Sequence, residues 1–191
     1  SHNHNDVGSV TLYRDGRPLL IDVGVETYSK KTFSPQRYEI WTMQSGWHNL
    51  PQFDPDGAKY DQQPGAAFAA ADVTVTDALD GLAMDLAPAY GSVPGLGRYR
   101  RSVHLTDTGL TLCDETDYPG TVALTLMSVE KPAVDGDTVA FGALAAAAVT
   151  GADKIVTEAV PIIDPRLRQA WPDTLYRTRI YFTQQLSLVI E

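Results

Sequence analysis

Short segments of alternating apolar and polar residues, separated by turn-forming residues, run through the whole chain. Val10 and Leu12 alternate within residues 9–13, the dipeptide Asp15-Gly16 follows, and residues 19–23 return as an apolar run. A period of two places successive side chains on opposite faces of a strand, and Asp-Gly between two such runs is a strong hairpin signal. We therefore predict a β-hairpin over residues 9–23.

The same pattern predicts strands along the rest of the chain. Two further hairpins are expected, one formed by 73–77 and 82–86 across Asp80-Gly81, the other by 99–105 and 110–114. Additional strands are predicted at 122–127, 138–141, 155–160, 176–182 and 186–190. Many short strands with regular turns indicate an all-β fold, an antiparallel multi-stranded β-sandwich of the supersandwich kind with little helix.

Two segments do not follow the strand pattern. Residues 143–149 are rich in alanine, which favours a helix, but seven residues are too few for a stable helix without tertiary support, so helix and strand are both open. Residues 52–71 are rich in Pro, Gly, Asp and Gln and have no clear period. We predict a long surface loop or flap there, and loops of that length often carry function.

Length and charge restrict the class of protein. A chain of 191 residues suits one all-β domain, so a single domain over residues 1–191 is predicted. The net charge of −9 argues against nucleic acid as a partner, and no apolar run is long enough to predict a membrane span.

One cysteine, Cys113, excludes an internal disulfide and a thiolate-rich zinc cluster. The chain opens at Ser1 without a leader, so we expect a processed product or an excised piece and predict no cellular location.

Histidines are concentrated near the start of the chain. His2 and His4 lie in Ser-His-Asn-His-Asn-Asp, and His48 follows in Trp-His-Asn. In an extended segment His2 and His4 would project from one face, about 6.5 Å apart. Asp22 closes an apolar run, and a carboxylate beside core residues needs a partner.

Two interpretations of these residues remain open from spacing alone. Two imidazoles and one carboxylate are a suitable zinc set, with bonds of about 2.0 to 2.2 Å. Alternatively, the histidines lie in a frayed terminus and a loop, and Asp22 pairs with Arg14 or Arg17.

The order of the motifs resembles that of heparinase II/III-like proteins. The sharpest motifs are His2-Asn3-His4-Asn5-Asp6-Val7-Gly8-Ser9, then Leu20-Ile21-Asp22-Val23-Gly24, then His48-Asn49. Weaker similarity extends through Thr27-Tyr28, Arg37-Tyr38 and Tyr99-Arg100-Arg101. The resemblance implies the C-terminal β-sandwich of an enzyme whose N-terminal α/α toroid is absent from this chain, with the catalytic cleft between the two parts.

The resemblance also implies roles for individual residues. His4, Asp22 and His48 match zinc ligands, and His2 matches a catalytic histidine that faces the cleft. The implied reaction is β-elimination on a uronic-acid polysaccharide, in which zinc would organise the site rather than activate water, because elimination consumes no water nucleophile. The implied partners are an acidic polysaccharide and the toroid, which supplies other catalytic groups, so the domain alone is expected to have little or no activity.

Several side chains are candidates for contact with the substrate. Tyr28 and Arg37 could offer a phenolic hydroxyl and a bidentate contact to carboxylate or sulfate, with ordinary packing or an internal ion pair as the alternative. Arg98, Arg100 and Arg101 could form a basic strip or a solvated strand face.

Two other functions compete with a lyase. A noncatalytic carbohydrate-binding or interdomain module could hold zinc only for stability. A metal-dependent hydrolase with a cupin-like sandwich also gathers histidines on strands, but His48 is far from the first pair in the sequence and a third clustered histidine is missing.

Overall fold

A computed structural model describes residues 3–191 of the chain, which form an all-β fold of twelve strands joined by turns and short 3-10 segments. The strands are β1 Leu12–Arg14, β2 Arg17–Leu20, β3 Pro51–Phe53, β4 Ala71–Val75, β5 Gly81–Asp85, β6 Tyr99–Leu105, β7 Leu110–Thr116, β8 Val122–Ser128, β9 Pro132–Asp135, β10 Thr138–Phe141, β11 Ala145–Pro161 and β12 Thr174–Ile190. The 3-10 segments are Lys30–Phe33, Pro35–Glu39, Trp41–Met43, Ser45–Trp47, Ala87–Tyr90 and Leu167–Gln169. This architecture confirms the prediction of an all-β sandwich with little helix.

The strands pair antiparallel, and the two longest strands, β11 and β12, lie at the centre of the pairing. The order in the large sheet is β4-β5-β6-β7-β12-β11-β10-β9, while β1 and β2 form a separate hairpin. The first half of β12 pairs with β8 and its second half with β7, while β11 lies along the other edge of β12. The change of neighbour occurs beside Gln184, which has a φ of +65°, and the opposite strand shifts register around Gly151, with a φ of +90°. Such bulges bend a strand pair. The pair β11–β12 therefore extends from the part of the sandwich that contains β8 into the part that contains β7.

The three predicted hairpins are confirmed, and the alanine-rich segment is a strand. β1–β2, β4–β5 and β6–β7 pair as the turn residues indicated. Ala145 pairs with Phe141 of β10, and Ala147 pairs with both Val139 and Ile190, so hydrogen bonds to two neighbouring strands override the helix propensity of alanine. The short strands β3 and β9 were not predicted.

Two apolar clusters stabilise the sandwich. The larger includes Phe53, Tyr99 and Leu124 among residues contributed by most strands. The smaller cluster packs Ile21 and Val23 against residues of β8, β11 and β12, with tryptophans at its margin. None of the helical segments in residues 3–191 is long and apolar enough to cross a membrane.

Candidate metal centre

The first described residues are held in place by hydrogen bonds to Met43 and Gln62. Asn5 donates its backbone N–H to the Met43 carbonyl (2.9 Å) and its side-chain amide to the Gln62 carbonyl (2.8 Å). The buried Gln62 side chain accepts from the Val7 N–H (2.9 Å) and donates to the Val7 carbonyl (2.8 Å), as a neighbouring strand would. His4 therefore lies on a fixed segment, and the predicted loop that contains Gln62 helps to fix it.

Asp22 lies directly after β2, between two residues of the smaller core cluster. Ile21 and Val23 are buried, and strand-like alternation directs the Asp22 side chain to the opposite side, toward His48. Asp22 Oδ1 accepts the Gly24 N–H at 2.7 Å, and Gly24 has a φ of +85°, which glycine adopts without strain. One carboxylate oxygen is thus held by the backbone, and Oδ2 is left facing His48.

His48 ends the 3-10 segment Ser45–Trp47, and its position is set by the next residue. The fully buried Asn49 donates its side-chain amide to the carbonyls of Val10 (2.7 Å) and Ile21 (3.1 Å). Its Oδ1 accepts the Met127 N–H at 2.7 Å. Asn49 therefore ties the His48 loop to the residue that precedes Asp22, and the spacing of the motifs in sequence gave no indication of this role.

Tertiary structure brings His4, Asp22 and His48 together. One candidate ligand atom from each lies within 4.8 Å of the others. His48 Nδ1 is 3.5 Å from Asp22 Oδ2, yet neither ring nitrogen of His48 forms a hydrogen bond with any described residue. His4 Nδ1 is also buried without such a partner. Buried polar atoms are nearly always satisfied, so three imidazole nitrogens without partners are unusual.

This arrangement fits the chemistry of a zinc ion. Zinc bonds of about 2.1 Å in tetrahedral geometry separate two ligand atoms by roughly 3.4 Å, close to the separation of His48 Nδ1 and Asp22 Oδ2. Two imidazoles and a carboxylate are ligand types that zinc takes in proteins, and three ligands leave a fourth position open.

The local electrostatics favour the neutral form of the His4 imidazole, which is the form that binds a metal. Burial and the nearby His48 lower the pKa of His4, although the carboxylates of Asp22 and Asp6 oppose them. The rings of His4 and His48 have centroids 5.3 Å apart, so two positive imidazoliums there would repel each other.

A buried ion pair supports both histidine-bearing segments. Arg101 and Asp114 are fully buried, and the guanidinium meets the carboxylate through two hydrogen bonds of 2.8 and 2.7 Å. Arg101 Nη1 also donates to the carbonyls of Gly8 (2.9 Å) and Asn49 (2.8 Å). Burial by itself would lower the pKa of Arg101, but Asp114 raises it above its ordinary value. Both interpretations of Arg101, a basic strip and a solvated face, are wrong, because this side chain is in the interior.

The other predicted site residues have different settings. His2 lies outside the described residues. Arg37 is buried and donates to the carbonyls of Asn3 (3.0 Å) and Thr32 (2.8 Å), so it also supports the segment that bears His4. Tyr28 is 43 % exposed on the loop after Asp22. Contact of Arg37 and Tyr28 with a substrate stays a prediction.

Comparison with known proteins assigns a family. The model of the family described as "Heparinase II/III-like, C-terminal" matches residues 1–188. The chain belongs to the heparinase II/III-like family. The matched region is the C-terminal domain of that family, consistent with a domain of a polysaccharide lyase. No curated protein matches the chain.

Solved structures share the fold of this heparinase II/III-like domain. A heparinase III with methylated lysines is 16 % identical, with a TM-score of 0.65, over 98 % of this chain and 30 % of its own. A mutant of the heparan sulfate lyase HepC from Pedobacter heparinus is 15 % identical, with a TM-score of 0.64 and the same coverages. The chain thus spans about 30 % of the length of these structures, which implies a further domain in those proteins. At this identity the likeness concerns the fold.

Proposed function

We propose that this domain binds zinc through His4, Asp22 and His48 and forms one wall of the catalytic cleft of a polysaccharide lyase. The observation that carries the proposal is the convergence of these three side chains, with imidazole nitrogens that no described residue satisfies. Family membership supplies the reaction class. The proposed substrate is a uronic-acid-containing polysaccharide, in keeping with the heparan sulfate lyase among the similar structures.

In the proposed reaction a base removes the proton at C5 of the uronate, a C4–C5 double bond forms, and the glycosidic oxygen at C4 leaves with a proton. His2 is the residue of this chain proposed to face the reacting sugar. His4, two residues away, would anchor the segment that bears it. When bound, zinc would supply a fixed point that joins three loops rather than a nucleophile.

The domain by itself is proposed to be inactive. The elimination needs a base, an acid and a group that neutralises the uronate carboxylate, and we propose that an N-terminal α/α toroid of the full-length protein supplies those that this domain lacks. The net charge of −9 opposes the approach of a polyanion to this domain, so the proposal requires the toroid to supply a positively charged face of the cleft.

The first test is the zinc content of the purified chain, prepared without chelator. We expect about one zinc per chain, lost in His4→Ala, Asp22→Ala and His48→Ala. His104→Ala is the matched control, because His104 is half exposed and pairs with Asp80 rather than with this cluster. Equal zinc content in all four variants, or none in the wild type, would contradict the metal site.

The second test is turnover by the full-length protein on uronate polymers, followed by the absorbance of the unsaturated product. We expect activity in the full-length protein and its loss in His2→Ala, with zinc retained. Zinc binding without turnover on any uronate polymer would instead favour a noncatalytic carbohydrate-binding or interdomain module.

A further inference from the structure

Two loops, one of which follows Asp22 in sequence, line an open hollow. It has a volume of about 600 Å³ and is lined by Thr27, Tyr28, Pro165, Arg166 and Gln169. The first two residues lie on the loop after Asp22, and the others precede or belong to the 3-10 segment Leu167–Gln169. Segments far apart in sequence therefore form one concave surface.

Asp164 fastens the two loops together. Both of its carboxylate oxygens accept the Thr27 N–H at 3.1 Å, and Oδ1 also accepts the N–H groups of Arg166 (2.9 Å) and Leu167 (3.1 Å). Desolvation raises the pKa of Asp164, but these hydrogen bonds outweigh it and leave the pKa below its usual value. The hollow is held in shape before any ligand arrives, which reduces the entropic cost of binding.

Arg166 is held over an aromatic ring with its hydrogen-bonding edge unused. Its guanidinium carbon lies 4.5 Å from the centroid of Tyr28, and Tyr28 contacts Phe33 edge to face at 5.4 Å. Within residues 3–191 the Arg166 guanidinium forms no hydrogen bond or ion pair. Phe33 is 68 % exposed, so an apolar surface continues past the hollow. Stacking fixes the plane of an arginine and leaves its donors available to a bidentate anion.

The charge around this hollow differs from that of the whole chain. Apart from the buried Arg37, segments 26–39 and 163–170 contain four Lys or Arg residues, all exposed, against three acidic ones, in a chain of net charge −9. The acidic groups are engaged: Glu39 pairs with Lys31, Glu26 accepts the Trp41 indole N–H, and Asp164 fastens the loops. This part of the surface therefore favours an anion with an apolar face.

We propose that the hollow is a subsite for an anionic sugar residue of an acidic oligosaccharide. The Arg166 guanidinium would grip its carboxylate or sulfate through paired hydrogen bonds, while the sugar ring packs beside Tyr28 and Phe33 and the Gln169 amide reaches its hydroxyls. The subsite rests on the proposed function for the substrate class. It adds a contact that lies outside the metal centre.

The test is a titration of the zinc-loaded chain with a uronate tetrasaccharide, followed by amide chemical shifts. We expect millimolar or tighter binding with shifts at Tyr28 and Gln169, about tenfold weaker binding in Arg166→Gln and a smaller loss in Arg166→Lys. A neutral tetrasaccharide should not bind. Lys131→Gln, which removes the same charge from an exposed position just before β9, is the control and should bind as the wild type does.

Equal weakening in Arg166→Gln and Lys131→Gln would show general electrostatic attraction and overturn the subsite. Failure of the wild type to bind at 20-fold molar excess and millimolar concentration would overturn it as well. Zinc content is measured on the same samples and should be unchanged in Arg166→Gln, so loss of the subsite is distinguished from loss of the metal centre. Turnover by the full-length protein without this binding would leave the proposed function standing and the subsite refuted.

Discussion

Replacement of Asp114 should show how strongly the fold depends on its buried ion pair. The side chains of Arg101 and Asp114 are both fully buried, so Asp114→Leu leaves a guanidinium without a counter-charge and without water. Removal of one partner of such a pair costs about 3 to 5 kcal/mol. With a urea m-value of about 2.5 kcal/mol per molar for a chain of this size, the unfolding midpoint should fall by roughly 1.2 to 2 M.

A double-mutant cycle gives the sharper test. Arg101→Met with Asp114→Leu removes both charges and leaves only the carbonyls of Gly8 and Asn49 without their donor. The double variant should be no less stable than either single variant, so the two single losses should exceed the double loss by about 3 kcal/mol or more. Unfolding is followed by the fluorescence of the three tryptophans.

The control is Asp135→Leu, which removes an exposed carboxylate at the end of β9. It should change the free energy of unfolding by no more than about 0.5 kcal/mol. Strictly additive losses in the cycle would refute the argument that removal of Asp114 leaves the Arg101 charge buried and uncompensated. A loss for Asp114→Leu no larger than that of Asp135→Leu would refute it as well.

Three further predictions concern the supports of the metal centre. Asp61 accepts hydrogen bonds from the hydroxyl of Ser45 (3.1 Å), in the segment that leads to His48, and from the side-chain amide of Gln52 (2.9 Å). Burial raises the pKa of Asp61, so its contribution to stability is present below the unfolded pKa of about 3.9 and is lost as pH rises through the folded value. Asp61→Asn should therefore flatten the fall in the free energy of unfolding above pH 4, and parallel pH curves would contradict this. Gln62→Ala frees the Val7 backbone and should weaken zinc binding about tenfold in a chelator competition, whereas Gln63→Ala, at an exposed neighbour, should not. Gly24→Ala places a side chain at a φ of +85° and should lower stability by about 1 kcal/mol in urea unfolding; an unchanged midpoint would contradict the strain.

Local signals in the sequence were sufficient for much of the sheet. Asp15-Gly16 forms the tight turn between β1 and β2, with both residues at positive φ, because few other dipeptides adopt this turn so readily. Asp80-Gly81 indicated the second hairpin but not its turn residues, because Gly81 is the first residue of β5 and the positive φ of that turn lies at Leu79. The same reasoning divided β12 into two strands at residues 183–185, whereas the structure continues through a bulge at Gln184. A bulge and a turn both use a positive φ, so local sequence does not distinguish them; the pairing of β11 along the whole of β12 does.

The candidate site required more than local pattern. The resemblance to the heparinase II/III-like family predicted the set His4, Asp22 and His48, and the structure brings these residues together, while zinc itself stays a proposal. Spacing alone could not predict this convergence, because the three residues are separated by 18 and 26 residues in the sequence. The segments are brought together through Asn49, which forms hydrogen bonds to Val10, Ile21 and Met127.

What the sequence by itself determined was the all-β class, the hairpins and the choice of residues with metal-binding chemistry, since turn propensity, alternation and ligand type are properties of short segments. Only the tertiary structure decided that Arg101 is an interior support rather than a surface cation, and that Asn49 and Gln62 fix the histidine segments. The physical reason is that a buried polar side chain is stable only with partners, and those partners come from distant strands whose meeting depends on the whole sheet.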